Sequence, residues 1–283
     1  MSINQVQAPS SRGNNVFFST GSKTNADKLK NSLAALGLEQ YAPKQNSKLV
    51  ATHQALKSVC GRKDRLIRPL KGEPGYAVVR EEKGEDGKSL SHTVEFDALM
   101  PADSDFPVFR NPDGEYFSPV EDGAITHRFQ IECERVQASA VSKSLVNIID
   151  YMHGISLRPR GGVYWIPQGA VAKFEKVAEC FQNSCEGNLN KVYFQTTVHD
   201  DKLRDSVIMG LTESIENETR QMLEALSQPD VGKRAKKTKM DRCGKLLKRI
   251  SGYEKMFQVS LQELQKHVAD VEAEAMMTAF GGN

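Results

Sequence analysis

The sequence predicts an α+β protein built from a winged-helix-like helix-and-strand module, a central α/β module and a C-terminal antiparallel helical hairpin. Apolar residues recur at helical spacing near the N-terminus and alternate at strand spacing over residues 65–99. They return to a three-four helical spacing over 203–276. Breaks in these patterns give a disordered tail at 1–21 and modules at 22–120, 121–200 and 201–283.

The N-terminal module begins with two short helices. The first spans about 25–36 and ends at Gly37, and Ser47 caps the second, which runs to about Cys60. A charged segment at 83–88 has the composition of a hairpin turn between two of the strands that follow. The strand candidates are 65–70, 76–81 and 92–99.

The order of a helix, a basic segment and a strand hairpin is that of winged-helix proteins, in which a helix enters the DNA major groove. In the third strand Val94, Phe96 and Ala98 alternate onto one face. There are two alternatives to DNA binding. One is a small α+β domain whose charges are only solvated, and the other is a wing that contacts a protein. The candidate nucleic-acid contacts in this module are Arg62, Lys63 and Arg65.

The central module contains a tight Gly161-Gly162 turn flanked by Arg158 and Arg160, where the backbone can approach a phosphate closely. Both arginines are therefore candidate nucleic-acid contacts. Trp165 follows, and it either packs in the core or stacks on a nucleobase. The alternative is a structural hairpin with solvated arginines. The other predicted elements are helices at 139–153 and 170–182 and a strand at 191–198.

The C-terminal module is predicted as two seamed helices, 203–226 and 238–277, that fold back near Pro229-Asp230. Nine lysines and arginines lie within 233–249 of a chain whose net charge is only +2. A basic hairpin tip can neutralise phosphates, whereas a solvated turn is the alternative. The candidate contacts here are Lys233, Arg234, Lys236, Lys237, Lys239 and Arg242.

Motifs for nucleotide-binding loops, nucleophile elbows, zinc proteases and protein kinases are absent from the sequence. The six histidines are scattered singly, and Asp200-Asp201 beside His199 is interpreted as a cap for the helix that follows. We therefore expect a non-enzymatic protein without a cofactor or a metal site. An enzyme of unrecognised type is the least favoured alternative.

The five cysteines are odd in number and lack a CxxC pair, which favours reduced thiols and a cytoplasmic location. No apolar run reaches the length of a signal peptide or a membrane span, so we expect no membrane partner.

Two segments resemble a family of bacterial and bacteriophage proteins to which no activity is assigned. The more specific one is Leu157-Arg-Pro-Arg-Gly-Gly-Val-Tyr-Trp-Ile-Pro167, and the other joins Leu66-Ile-Arg-Pro-Leu70 to Pro74-Gly-Tyr-Ala-Val-Val79. The resemblance covers about 25–275 and implies a phage or mobile-element setting. It supplies no catalytic residue that could be carried over to this chain. We expect a nucleic-acid-associated accessory protein. The alternative is a structural or adaptor protein that self-associates or binds a partner protein through the hairpin.

Overall fold

The structure, a computed structural model, has an α+β fold, which confirms the predicted class. It describes residues 13–62, 64–83, 90–158, 161–197, 200–226 and 233–280, with the side chains of 233–237 and 278–280 outside that description. The strands are β1 Gly13–Ser19, β2 Thr24–Asn25, β3 Arg65–Pro69, β4 Gly75–Lys83, β5 Leu90–Leu99, β6 Val108–Arg110, β7 Arg135–Val136, β8 Ile155–Ser156, β9 Tyr164–Pro167 and β10 Lys191–Thr197. The α-helices are α1 Ala26–Ala34, α2 Lys48–Val59, α3 Asp122–Cys133, α4 Ala138–Tyr151, α5 Gln168–Asn183, α6 Asp201–Leu226, α7 Lys233–Phe257 and α8 Gln262–Phe280.

The chain divides into two compact units that interleave in sequence, which differs from the three consecutive modules expected. The first unit contains the residues up to Phe18, Val146–Lys176 and the residues from Val192 onward. The second unit contains Ser19–Leu145 and Val177–Lys191. Helices α4 and α5 each contribute residues to both units.

In the second unit, side-chain caps fix where the first helices begin. The Asn25 side chain accepts a hydrogen bond from the Lys28 amide at 2.9 Å, and the Ser47 hydroxyl accepts one from the Val50 amide at 3.3 Å. Each bond satisfies an amide that lacks a partner within its helix. The predicted starts of α1 and α2 are confirmed to within a residue.

The sheet of the second unit is a four-stranded antiparallel array in the order β3-β4-β5-β6. Helices α2 and α3 pack against each other, and their apolar side chains share a core with those of the sheet. This arrangement does not confirm the winged helix. The predicted alternation in β5 is wrong at Val94, which is exposed, because a bulge at Val78/Val79 shifts the register. The buried residues of this core include Leu56, Val78, Phe96, Phe109 and Phe129.

The sheet of the first unit has the strand order β10-β1-β9-β8. Its elements follow along the chain as β1, α4, β8, β9, α5 and β10, which is the βαββαβ order of ferredoxin-like folds. Residues 13–19 therefore form a central strand, and the prediction of a disordered tail at 1–21 is wrong for them. Val16 lies fully buried in this strand, which explains why the segment is held in the sheet.

The two faces of this sheet are covered differently. Phe174 of α5 packs edge-on against Phe194 of β10, with ring centroids 6.0 Å apart, so α5 covers one face. On the other face Ile155 and Trp165 join the core formed by the C-terminal helices. The sheet is thus packed between helices on both sides, although that cover is incomplete at Phe17 and Tyr193.

The described residues of the first unit's C-terminal segment form three helices rather than the two predicted. Helix α8 packs against α7 and α6, and the hairpin turn lies between α7 and α8. Gln258 adopts a left-handed conformation with φ of 55°, which ends α7. The Glu254 carboxylate then accepts a hydrogen bond from the Leu261 amide at 2.7 Å and caps α8. The expected turn at Pro229-Asp230 lies outside the described residues.

Candidate nucleic-acid interface

The three predicted contacts of the second unit do not form a common basic surface among the described residues. Arg62 is exposed, and Lys63 lies outside the described residues. The Arg65 side chain is only 13% exposed and forms ion pairs with Glu95 at 2.7 Å and Glu121 at 3.1 Å. These partners occupy its guanidinium, so Arg65 contributes to the second unit's structure.

The two glycines of the predicted turn adopt left-handed backbone conformations. Gly161 and Gly162 have φ angles of 72° and 96°, which residues with a side chain adopt only under strain. The Gly161 amide donates to the carbonyl of Arg158 at 2.9 Å, and that of Leu157 donates to the carbonyl of Val163 at 2.9 Å. The Arg158 side chain is exposed beside this turn, whereas Arg160 lies outside the described residues.

Trp165 is fully buried, which rules out a nucleobase on its ring and corrects that alternative. Its ring packs against Tyr253 at 6.2 Å and Phe257 at 5.7 Å between centroids. The Tyr253 hydroxyl donates to the carbonyl of His153, and burial raises the pKa of that phenol. The tryptophan therefore anchors α7 to β9.

Helix α7 turns one apolar stripe inward. Its buried residues are spaced three and four apart, as in the seam of a coiled coil, and α8 contributes a matching stripe of Leu264, Val268, Val271 and Ala275. Leu246 occupies a core position, whereas its neighbour Leu247 is only partly buried. The buried residues of α7 are Cys243, Leu246, Ile250, Tyr253 and Phe257.

The opposite side of α7 carries lysine. Lys245, Lys248 and Lys255 are exposed, and no ion pair to another described residue involves them. Helix α7 contains ten lysines and arginines and only two acidic residues, whereas α6 and α8 contain more acidic residues than basic ones. Positive charge in this unit is thus concentrated on one helix. We call Lys245, Lys248 and Lys255 the lysine stripe.

The predicted contacts in this helix differ in their surroundings. The segment Lys233–Lys237 is helical rather than a turn, and the side chains of Lys233, Arg234, Lys236 and Lys237 lie outside the description. Lys239 is half-buried, and Arg242 pairs with Glu218. Arg249 donates to the carbonyl of Gly154 at 2.6 Å, which ties α7 to the loop before β8.

Sequence reasoning missed an exposed pair of aromatic rings on β1 and β10. Phe17 and Tyr193 are 40% and 47% exposed, and their rings stack with centroids 5.1 Å apart and planes inclined by 16°. The run Val16-Phe17-Phe18 was the available signal, because three consecutive apolar residues are unusual in a disordered tail.

A cleft of about 450 Å³ lies in the second unit near the start of α1. Lys23, Lys28 and Arg135 line it, but the Arg135 guanidinium is committed to Glu132 at 2.8 Å and Glu186 at 2.5 Å. Among the described residues, no group of three histidine, cysteine, aspartate or glutamate side chains is placed to hold a metal ion. The cleft thus offers solvated lysines and a structural ion cluster.

The model of one protein family matches residues 13–280, and its description is "Family of unknown function (DUF6744)". No curated protein and no solved structure matches the chain. Over the described part of the chain, no helix combines the length and the apolar character that crossing a membrane requires.

Proposed function

The chain belongs to this family of unknown function, DUF6744. We propose that it is a non-enzymatic nucleic-acid-binding accessory protein. The lysine stripe of α7 is the phosphate-binding surface in this proposal. A bacterial or phage setting and a cytoplasmic location, which the sequence resemblance and the free cysteines favour, belong to the same proposal.

One observation carries the proposal: the side of α7 opposite the buried seam presents lysines without a carboxylate partner among the described residues. Such a helix keeps its charges in water, where they cost little to maintain. Phosphates that approach it displace counterions, and that release drives binding without base recognition. The stripe from Lys245 to Lys255 extends about 15 Å along the helix, which is long enough to meet more than one phosphate.

The proposal is tested by replacing Lys245, Lys248 and Lys255 together with glutamate. We expect affinity for duplex and single-stranded nucleic acid to fall by at least about tenfold at moderate salt, because three attractive contacts become repulsive. Fluorescence anisotropy with labelled oligonucleotides measures the affinity, and circular dichroism checks the fold.

The matched control replaces Lys30, Lys57 and Lys266, which are also exposed, with glutamate. It changes the net charge by the same amount at other positions, so affinity lost equally in both variants would mean that overall charge alone matters. Wild-type protein that binds no nucleic acid at low salt would contradict the proposal. An adaptor that acts through the α7–α8 hairpin would then be the better account.

A further inference from the structure

The exposed rings of Phe17 and Tyr193 lie on a defined face of the first unit's sheet. Asn15 pairs with Trp165 across β1 and β9, so both side chains project from the same face. Phe17 lies two residues further along β1 and therefore projects from that face as well. Trp165 is covered by α7, whereas Phe17 and Tyr193 remain 40% and 47% exposed. The helical cover of this face thus ends before the two rings.

The stacking of these rings leaves flat apolar surface open to solvent. Each ring contacts the other with one side, at 5.1 Å between centroids, and the exposed fractions show that the pair is not enclosed. An isolated apolar side chain on a surface needs no explanation, but two stacked rings on the face of a central strand form a larger apolar surface. Such a surface suits a planar partner.

We propose that Phe17 and Tyr193 form an aromatic platform on which unpaired bases stack, so that the nucleic acid bound by this protein is single-stranded. The inference rests on the proposed function and specifies its substrate class. Bases in a duplex are stacked within the helix, whereas unpaired bases offer their π-faces to aromatic side chains. Sheets of four strands that stack two or three bases on aromatic residues are a common way to bind single-stranded RNA.

Helix α7 borders the platform with its lysines turned to solvent. Tyr253 and Phe257 pack on Trp165 on the same face as the platform, and Lys255, which lies between them in sequence, is exposed on the opposite side of the helix. A single strand places its phosphates on one side and its bases on the other, so bases that stack on the rings leave the phosphates free for the lysine stripe.

The test compares binding of an oligothymidylate of about 16 nucleotides with binding of a duplex of equal length. Phe17→Leu and Tyr193→Leu remove the rings and keep apolar side chains, so the fold is expected to persist. We expect each to weaken single-strand binding about tenfold and to leave duplex binding unchanged. Tyr193→Phe keeps the ring and should bind like the wild type.

Tyr151→Leu is the matched control, because Tyr151 is 48% exposed on α4 and its ring contacts Lys173 of α5. Single-strand binding by both leucine variants within about twofold of wild type would overturn the platform and leave the lysine stripe standing. Equal loss of single-strand and duplex binding would also overturn it. If the wild type binds neither probe, the proposed function fails and the platform fails with it.

Discussion

The surroundings of individual charged side chains decide which of the predicted contacts remain available. Arg65 and Lys248 both belong to basic segments, but Arg65 is enclosed by two carboxylates and Lys248 projects into solvent. An enclosed guanidinium stabilises the fold, whereas a solvated ammonium can exchange its counterions for phosphates. The density of basic residues in the sequence cannot separate these two roles.

We predict that Arg65→Gln lowers the free energy of unfolding by about 2 kcal/mol, since Glu121 loses its partner and Glu95 keeps only Arg80. Nucleic-acid affinity should stay unchanged. The hydrogen bond from Arg65 lowers the pKa of Glu121 below its ordinary 4.5. The stability contributed by the Arg65–Glu121 pair is therefore fully present above pH 4.5 and is lost as the pH falls through the lowered pKa of Glu121. The free energies of unfolding of the variant and the wild type should converge there. Urea unfolding at neutral and acidic pH measures this, and a constant difference would contradict it.

Two glycines in helices test packing at the scale of an element. A Cβ at Gly210 would lie 2.5 Å from the Ser156 carbonyl oxygen and 2.9 Å from a methyl carbon of Ile155, because α6 crosses β8 closely. A Cβ at Gly244 of α7 would meet no atom within 4 Å. The same substitution should therefore have opposite effects at the two positions.

Gly244→Ala should stabilise the protein by up to about 1 kcal/mol, which is the helix propensity difference. Gly210→Ala should destabilise it by about 1 kcal/mol or more, because the overlap outweighs that gain. Thermal melting followed by circular dichroism measures both. A stabilising Gly210→Ala would show that α6 does not approach β8 so closely.

The helical core is tested by burying a charge in it. Leu211 of α6 and Ile250 of α7 are fully buried, so Leu211→Asp and Ile250→Asp should each cost at least about 3 kcal/mol. Met209→Asp is the control on α6, because Met209 is 59% exposed and should tolerate the change. Unaltered melting of either core variant would mean that the buried stripe is misplaced.

Sequence patterns located most elements because their causes are local. The caps at Asn25 and Ser47 and the left-handed Gly37 mark helix ends that any chain with those residues would favour. The break at Gln258 was missed because neither glycine nor proline marks it. It depends on Glu254, which reaches across the turn to the Leu261 amide, and such a bond is visible only once the turn has formed.

At the scale of the whole molecule, the arrangement of the first unit was beyond sequence reasoning. Its sheet brings together β1 near residue 16 and β9 near residue 165, and the second unit's sequence intervenes between them. No local pattern encodes which strands pair across such a distance. The candidate site had the same limitation: α7 was recognisable by its charge, but Phe17 and Tyr193 become neighbours only in the folded sheet.

The central claim is that α7 binds phosphates through the lysine stripe, and the salt dependence of binding tests it most directly. Association constants of the wild type, the Lys245, Lys248 and Lys255→Glu variant and the Lys30, Lys57 and Lys266→Glu control are measured on duplex DNA over a range of salt concentrations. The slope of log K against log salt is negative, and if each stripe lysine neutralises one phosphate, the loss of that lysine makes the slope shallower by about 0.9. We expect a slope shallower by about 3 units in the stripe variant and the wild-type slope in the control. Equal slopes in the stripe variant and the wild type would contradict the claim.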